Sequence, residues 1–122
     1  MNTGSTIAKT QGRIAAWLST AANEVARGFS DLRMHRKWGR PIDLERAEST
    51  AAATLKVIDN ELAKTQWLTG NLVSISDLAV YPYTALAPEG GVDLKPHTNI
   101  LRWFEDLRAL PGYVGMPGMW EA

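Results

Sequence analysis

The chain has no cysteine in its 122 residues. That excludes disulfides and thiol catalysis by these residues. Histidine is scarce: His35 and His97 stand far apart, with no acidic or histidine companion at ligand spacing, so no metal motif is predicted. Charge of one sign is also lacking, because 13 Lys plus Arg balance 13 Asp plus Glu. A neutral total gives no whole-molecule drive toward nucleic acid or an anionic membrane, and neither is expected as a partner. No run is long and apolar enough to span a bilayer. The segment from Met1 to Gln11 is polar and has no signal-peptide core. These absences fit a cytoplasmic protein. Alternation of period two does not extend beyond a few residues, so no strand is expected.

What is present is helical periodicity over a length that suits one domain with its own core. Residues 1–10, rich in Thr, Gly and Ser, read as a disordered tail or linker stub, and 11–122 as the folded domain. Ile14, Leu18, Ala21, Val25, Phe29 and Leu32 recur at steps of three or four and mark one face of a first helix. Gly28 within it costs about 1 kcal/mol against Ala, which points to a bend or a close packing contact. Gly39 stops this helix and Pro41 cannot continue it. Asp43 reads as the next N-cap, followed by a stripe of Leu44, Ala47, Ala51, Leu55, Ile58 and Leu62. The small Ala51–Ala53 run allows a neighbouring helix to approach closely. After the loop at 87–96, Pro96 is placed in the first turn of a last helix carrying Ile100, Leu101, Phe104, Leu107 and Leu110. The expected fold is all-α, with four to five main helices.

The best-marked helix start is Ser74, with Asp77 three positions on. In this variant capping box Ser74 accepts from the Asp77 N–H, and the Asp77 carboxylate accepts from the Ser74 N–H. Val73 and Leu78 occupy the two positions of a hydrophobic staple. Capping accounts for both polar residues, so they are not read as a catalytic dyad. The basic stretch RMHRKWGR (33–40) falls at a predicted helix C-terminus, where the dipole favours cations. Trp38 within it either stacks on a ligand or covers the core.

The surroundings of the capping box narrow the reading. WLTG, then SISDL, then YPY, between residues 67 and 83, resembles the central helix of the C-terminal domain of glutathione S-transferases. Three more stretches match in order: WLSTAANEVARGF (17–29), the long LERAESTAAATLKVIDNELAKTQWLTGN, and NILRWFEDLRALPGYVGMP (99–117); YPYTALAPEGGVDL (81–94) is similar to bacterial members. The resemblance covers about residues 11–117. It implies a helical bundle that supplies the acceptor-substrate pocket and part of a dimer or inter-domain surface.

In such enzymes a thioredoxin-like N-terminal domain binds glutathione and steadies its thiolate. No βαβ pattern precedes the first helix here, so that half is read as absent and no catalytic residue is assigned. Glutathione is expected as co-substrate only where a thioredoxin-like domain is supplied, with no cofactor bound by this domain alone. The implied partners are a second copy of the chain or a thioredoxin-like domain.

Bacterial beta-type members carry W-L-N-x-x-x-x-E-L-H-K in the first helix. Here the pattern reads Trp17, Leu18, Ser19, then Glu24, Val25, Ala26 and Arg27. The resemblance therefore puts Ser19 and Glu24 near glutathione, with Ser19 in place of Asn. Asn23, Arg27, Tyr81 and Tyr83 are acceptor-pocket candidates. On spacing alone, Glu24 and Arg27 equally fit a surface i,i+3 ion pair, and the tyrosines fit core aromatics with a wet hydroxyl. The alternative from another class is a stand-alone interaction or assembly module of the same fold.

Overall fold

The computed structural model describes residues 3–121. Among them the fold is all-helical. A long first helix comprises α1 (Thr3–Thr20), a π-helical segment (Ala21–Ser30) and α2 (Asp31–Trp38). It is followed by α3 (Leu44–Leu62), α4 (Ile75–Ala85), a 3₁₀ turn (Ala87–Gly90) and α5 (Thr98–Arg108). The one β feature among the described residues is an isolated antiparallel bridge between Trp67 and Gly70. No described helix is long and apolar enough to cross a membrane.

The first helix starts at Thr3, eight positions before the Gln11 start read from sequence. Of the tail expected over 1–10, only Met1 and Asn2 lie outside the described residues. Extending an existing helix costs little once it is nucleated, and residues 7–13 need no burial to remain helical, since all are exposed. The apolar stripe fades in the same direction. Val25, Phe29 and Leu32 are buried, whereas Ile14 and Ala21 are half-buried and Leu18 is 37% exposed.

Gly28 is a packing contact. A Cβ there would lie 3.0 Å from the Ala51 N and 3.1 Å from its Cα. The first helix and α3 thus meet backbone to backbone, glycine against the alanine run. Gly39, at φ 70°, closes α2 in the left-handed conformation, its N–H donating to the His35 carbonyl. Asp43 caps α3 by accepting from the Arg46 N–H at 3.2 Å. Five of the six stripe residues of α3 are buried; Leu44, at 44% exposed, is not. It sits in the first turn, where α3 has not yet met its neighbours.

Helices α3 and α5 cap each other across the fold. Asp59 Oδ1 accepts from the Asn99 and Ile100 N–H groups at 3.1 Å each, satisfying donors at the start of α5. Arg102 returns from α5 to the end of α3, donating to the Leu62 carbonyl at 2.9 Å and to the Gln66 carbonyl at 2.8 Å. Helix α5 begins at Thr98, so Pro96 precedes the helix rather than entering its first turn.

The basic stretch at the end of α2 grips the 3₁₀ turn. Glu89 takes Arg33 at 2.7 Å and Lys37 at 2.9 Å. Both cations also lie over Trp38, at 5.3 and 5.2 Å from the ring centroid. Trp38 is 61% exposed, so it does not cover the core as the sequence reading allowed; it shields charges instead.

Hydrogen bonds from Arg33 and then Lys37 hold the Glu89 carboxyl below its ordinary value. A carboxyl depressed in the folded state adds stability above its unfolded pKa of about 4.3. That stability is lost as pH falls through the lower folded value. Glu89→Gln is therefore expected to lower Tm at neutral pH. The gap to the parent protein should close on acidification; a gap that stays constant down to the acid limb would show that the pair carries no linkage.

Candidate functional site

The start of α4 is a buried polar centre of the fold. Ser74 is extended, at φ −138° and ψ 177°, and its Oγ accepts from the Ser76 N–H at 3.1 Å. Asp77 Oδ2 accepts from the Ser74 N–H at 2.9 Å, which closes the reciprocal box. Asp77 is fully buried, and its other oxygen is occupied too. Oδ1 accepts from the Leu68 N–H and from the Trp103 indole N–H, both at 2.9 Å. One carboxylate therefore ties together the 67–70 turn, the N-terminus of α4 and the middle of α5. The spacing in the sequence shows the cap; nothing local shows that Trp103, 26 positions away, completes it. Trp17 adds a third helix to this knot, its indole N–H donating to the Leu68 carbonyl at 3.2 Å.

Around this centre the surface is apolar. Leu72 is 82% exposed, Val73 40%, Ile75 57% and Leu78 56%. The two staple positions therefore lie at the surface. Leu78 also borders a groove of about 460 Å³, walled by Tyr81, Pro82, Leu107, Tyr113 and Met116. Val114 and Met116 on the far lip are exposed as well. Apolar contact area thus runs from residue 72 across α4 to the C-terminal segment, which folds back through the Trp120 N–H to the Ala85 carbonyl at 2.7 Å.

Tyr81 forms the inner wall of this groove. Its ring meets Trp103 and Phe104 edge-on, and its hydroxyl bonds the Tyr113 hydroxyl at 2.5 Å. Burial, reinforced by that bond and opposed by Arg108, pushes its phenol up to about 12. At neutral pH Tyr81 is therefore a neutral hydroxyl that donates or accepts a hydrogen bond, not a source of negative charge. Tyr83, two positions on, is 45% exposed.

The first-helix candidates lie elsewhere. Ser19, Asn23, Glu24 and Arg27 are all exposed, and none lines the Tyr81 groove. Asn23 Nδ2 donates to the Ser19 carbonyl at 2.9 Å and to its hydroxyl at 3.4 Å, so these two form a local pair. Asn23, Glu24 and Arg27 sit in the π-helical segment, where the Asp31 N–H reaches back five residues to the Ala26 carbonyl. That wider winding moves i,i+3 neighbours out of line. Glu24 and Arg27 accordingly form no ion pair among the described residues, and both charges face solvent. The structure thus brings Ser19 and Asn23 together, and separates the first-helix set from Tyr81. No cluster of metal-ligating side chains occurs among the described residues.

The family model for the glutathione S-transferase C-terminal domain matches residues 33–111. The chain belongs to the glutathione S-transferase family. It is 27% identical over 113 residues to glutathione S-transferase F9 of Arabidopsis thaliana, covering 84% of this chain and 53% of that one. A shorter match, 30% over 59 residues, joins it to glutathione S-transferase GstB of Escherichia coli K12 and covers 48% of this chain and 28% of that one.

Among solved structures it resembles a glutathione S-transferase from Xanthobacter autotrophicus, with TM-score 0.83 and 29% identity over 89% of this chain and 56% of that one. One from Pseudomonas fluorescens gives 0.81 and 25%, over 88% and 56%. The chain spans about half the length of the relatives that it matches over most of its own length. Its all-helical bundle is the family's C-terminal fold.

Proposed function

We propose that this helical domain serves as one wall of a glutathione S-transferase-like protein in the cytoplasm, docking a thioredoxin-like domain and supplying the acceptor side of the site. The observation that carries this is the exposed apolar run Leu72, Val73, Ile75 and Leu78, continuous through Leu78 with the Tyr81 groove. A contiguous apolar surface of that kind on a folded domain marks an interaction face. It is held rigid from behind by the buried Asp77 network, which is what an inter-domain seam requires. The groove offers apolar walls and the neutral phenol of Tyr81, suited to an uncharged electrophile.

Ser19 and Glu24 remain the residues proposed to approach glutathione, with Asn23, Arg27 and Tyr83 as further acceptor-side candidates. All five are exposed, the first four on the first helix and Tyr83 on α4, available to a molecule held by another domain or subunit. None of them is held in a closed site that could steady a thiolate, so the domain alone is proposed to have no transferase activity.

The 122-residue chain should self-associate through the apolar face at high micromolar concentration. Light scattering coupled to size exclusion measures this. Ile75→Glu with Leu78→Glu should return a monomer, and acidic residues near the helix N-terminus leave the cap intact. A parent protein that stays monomeric throughout the range counts against the docking face.

A further inference from the structure

The cleft on the α2–α3 side of the fold shares no lining residue with the Tyr81 groove, and its composition is different. It measures about 790 Å³, within the span of small-molecule sites, roughly 300–1,000 Å³. Its floor is apolar and buried: Leu32, Ala51 and Leu55. Small residues are among its lining: Ala51 and Ala52 on α3, Gly90 at the end of the 3₁₀ turn and Gly91 after it.

The rim carries charge of both signs. Arg36 stands on α2, Glu48 on α3 and Asp93 in the loop. The Arg36 guanidinium lies across Gly91, where a Cβ would come within 2.5 Å of its Nη1. Among the described residues, neither Arg36 nor Glu48 has an ion-pair partner. Asp93 accepts from the Lys95 N–H at 3.0 Å through one oxygen.

His35 and His97, the two histidines of the chain, both line this cleft although 62 positions separate them in the sequence. A carbonyl oxygen only accepts, so the His35 Nδ1–H donates to the Arg40 carbonyl, at 2.9 Å. That fixes the ring and leaves Nε2 as the free nitrogen.

We infer that this cleft binds a zwitterion with an apolar body, a free amino acid or dipeptide with hydrocarbon or aromatic side chains. The charge pattern selects this class. A plain apolar carboxylate meets Arg36 but also two like charges, Glu48 and Asp93. A plain apolar amine meets those carboxylates but also the guanidinium. A molecule with both groups satisfies both signs: its carboxylate goes to Arg36 and its ammonium to Glu48 and Asp93. Its side chains lie on Leu32 and Leu55. The half-buried imidazoles then flank the ligand and supply hydrogen-bond partners.

The test is a titration of the whole protein with the dipeptide leucyl-phenylalanine, following the ring protons of the two histidines by NMR. Saturable shifts of both rings with Kd below about 1 mM are expected. N-acetylation and C-terminal amidation of the dipeptide should each weaken binding about tenfold or more, the worth of a charge-assisted hydrogen bond. Arg36→Gln should weaken the parent dipeptide by a similar factor and leave the amidated one unchanged; Arg36 is exposed, so the variant folds. Absence of saturable shifts up to about 10 mM, or equal affinity for the free and blocked dipeptides, overturns the inference.

Discussion

Asp77→Ala should remove about 3–6 kcal/mol of folding stability, because it strands three donors at a buried point. Those donors are the Leu68 and Ser74 N–H groups and the Trp103 indole N–H, each 2.9 Å from the carboxylate. Domains of this size are stable by only about 5–15 kcal/mol, so the variant sits near the edge of folding. Ser74→Ala touches the same helix start but loses only the partly exposed hydroxyl that accepts from the Ser76 N–H and the Thr69 hydroxyl, and should cost about 1 kcal/mol. Asp77→Asn falls between them: its carbonyl replaces Oδ1, while its NH₂ faces the Ser74 N–H donor to donor. Denaturant melts of the three variants at neutral pH measure the ranking. If Asp77→Ala proves no worse than Ser74→Ala, the carboxylate is only a cap and the three-element tie is wrong.

Gly90→Ala is the second large effect, with an expected loss of about 1–3 kcal/mol from overpacking. The 3₁₀ turn lies so close on α2 that a Cβ at Gly90 would be 2.8 Å from the Arg33 N and 2.9 Å from the Leu32 carbonyl carbon. Both are backbone atoms of a packed helix and cannot swing away. Gly12 provides the control on the first helix. It is exposed, and a Cβ there meets nothing within 4 Å. Gly12→Ala should therefore gain about 0.5–1 kcal/mol from helix propensity alone. Thermal melts of the pair should move in opposite directions; a shift of the same sign in both would show that the turn is free to yield.

The two substitutions also mark what can be read from sequence. Local periodicity and caps were legible because their causes lie within one turn: Asp43, Gly39 and the Ser74–Asp77 spacing each announce a helix end. Gly28 against the alanine run was legible as a close approach because a glycine in a helix interior needs a reason. What was hidden joins distant segments. Trp103 on Asp77, Asp59 on the start of α5 and the two histidines in one cleft arise from chain topology, which spacing does not encode. Leu44 and Trp38 are exposed for a related reason. Amphipathic pattern assigns a face, but whether a partner covers that face at a helix end depends on where the neighbouring helix stops. The first-helix candidates were named by family likeness, and the π-helical winding that separates Glu24 from Arg27 has no sequence signature of its own.

In the proposed division of labour these helices flank a glutathione site without containing one. Calorimetric titration of the 122-residue chain with glutathione puts that directly to the test. Heats consistent with binding no tighter than about 1 mM are predicted; a micromolar Kd would contradict the account and place the site within the helical domain itself.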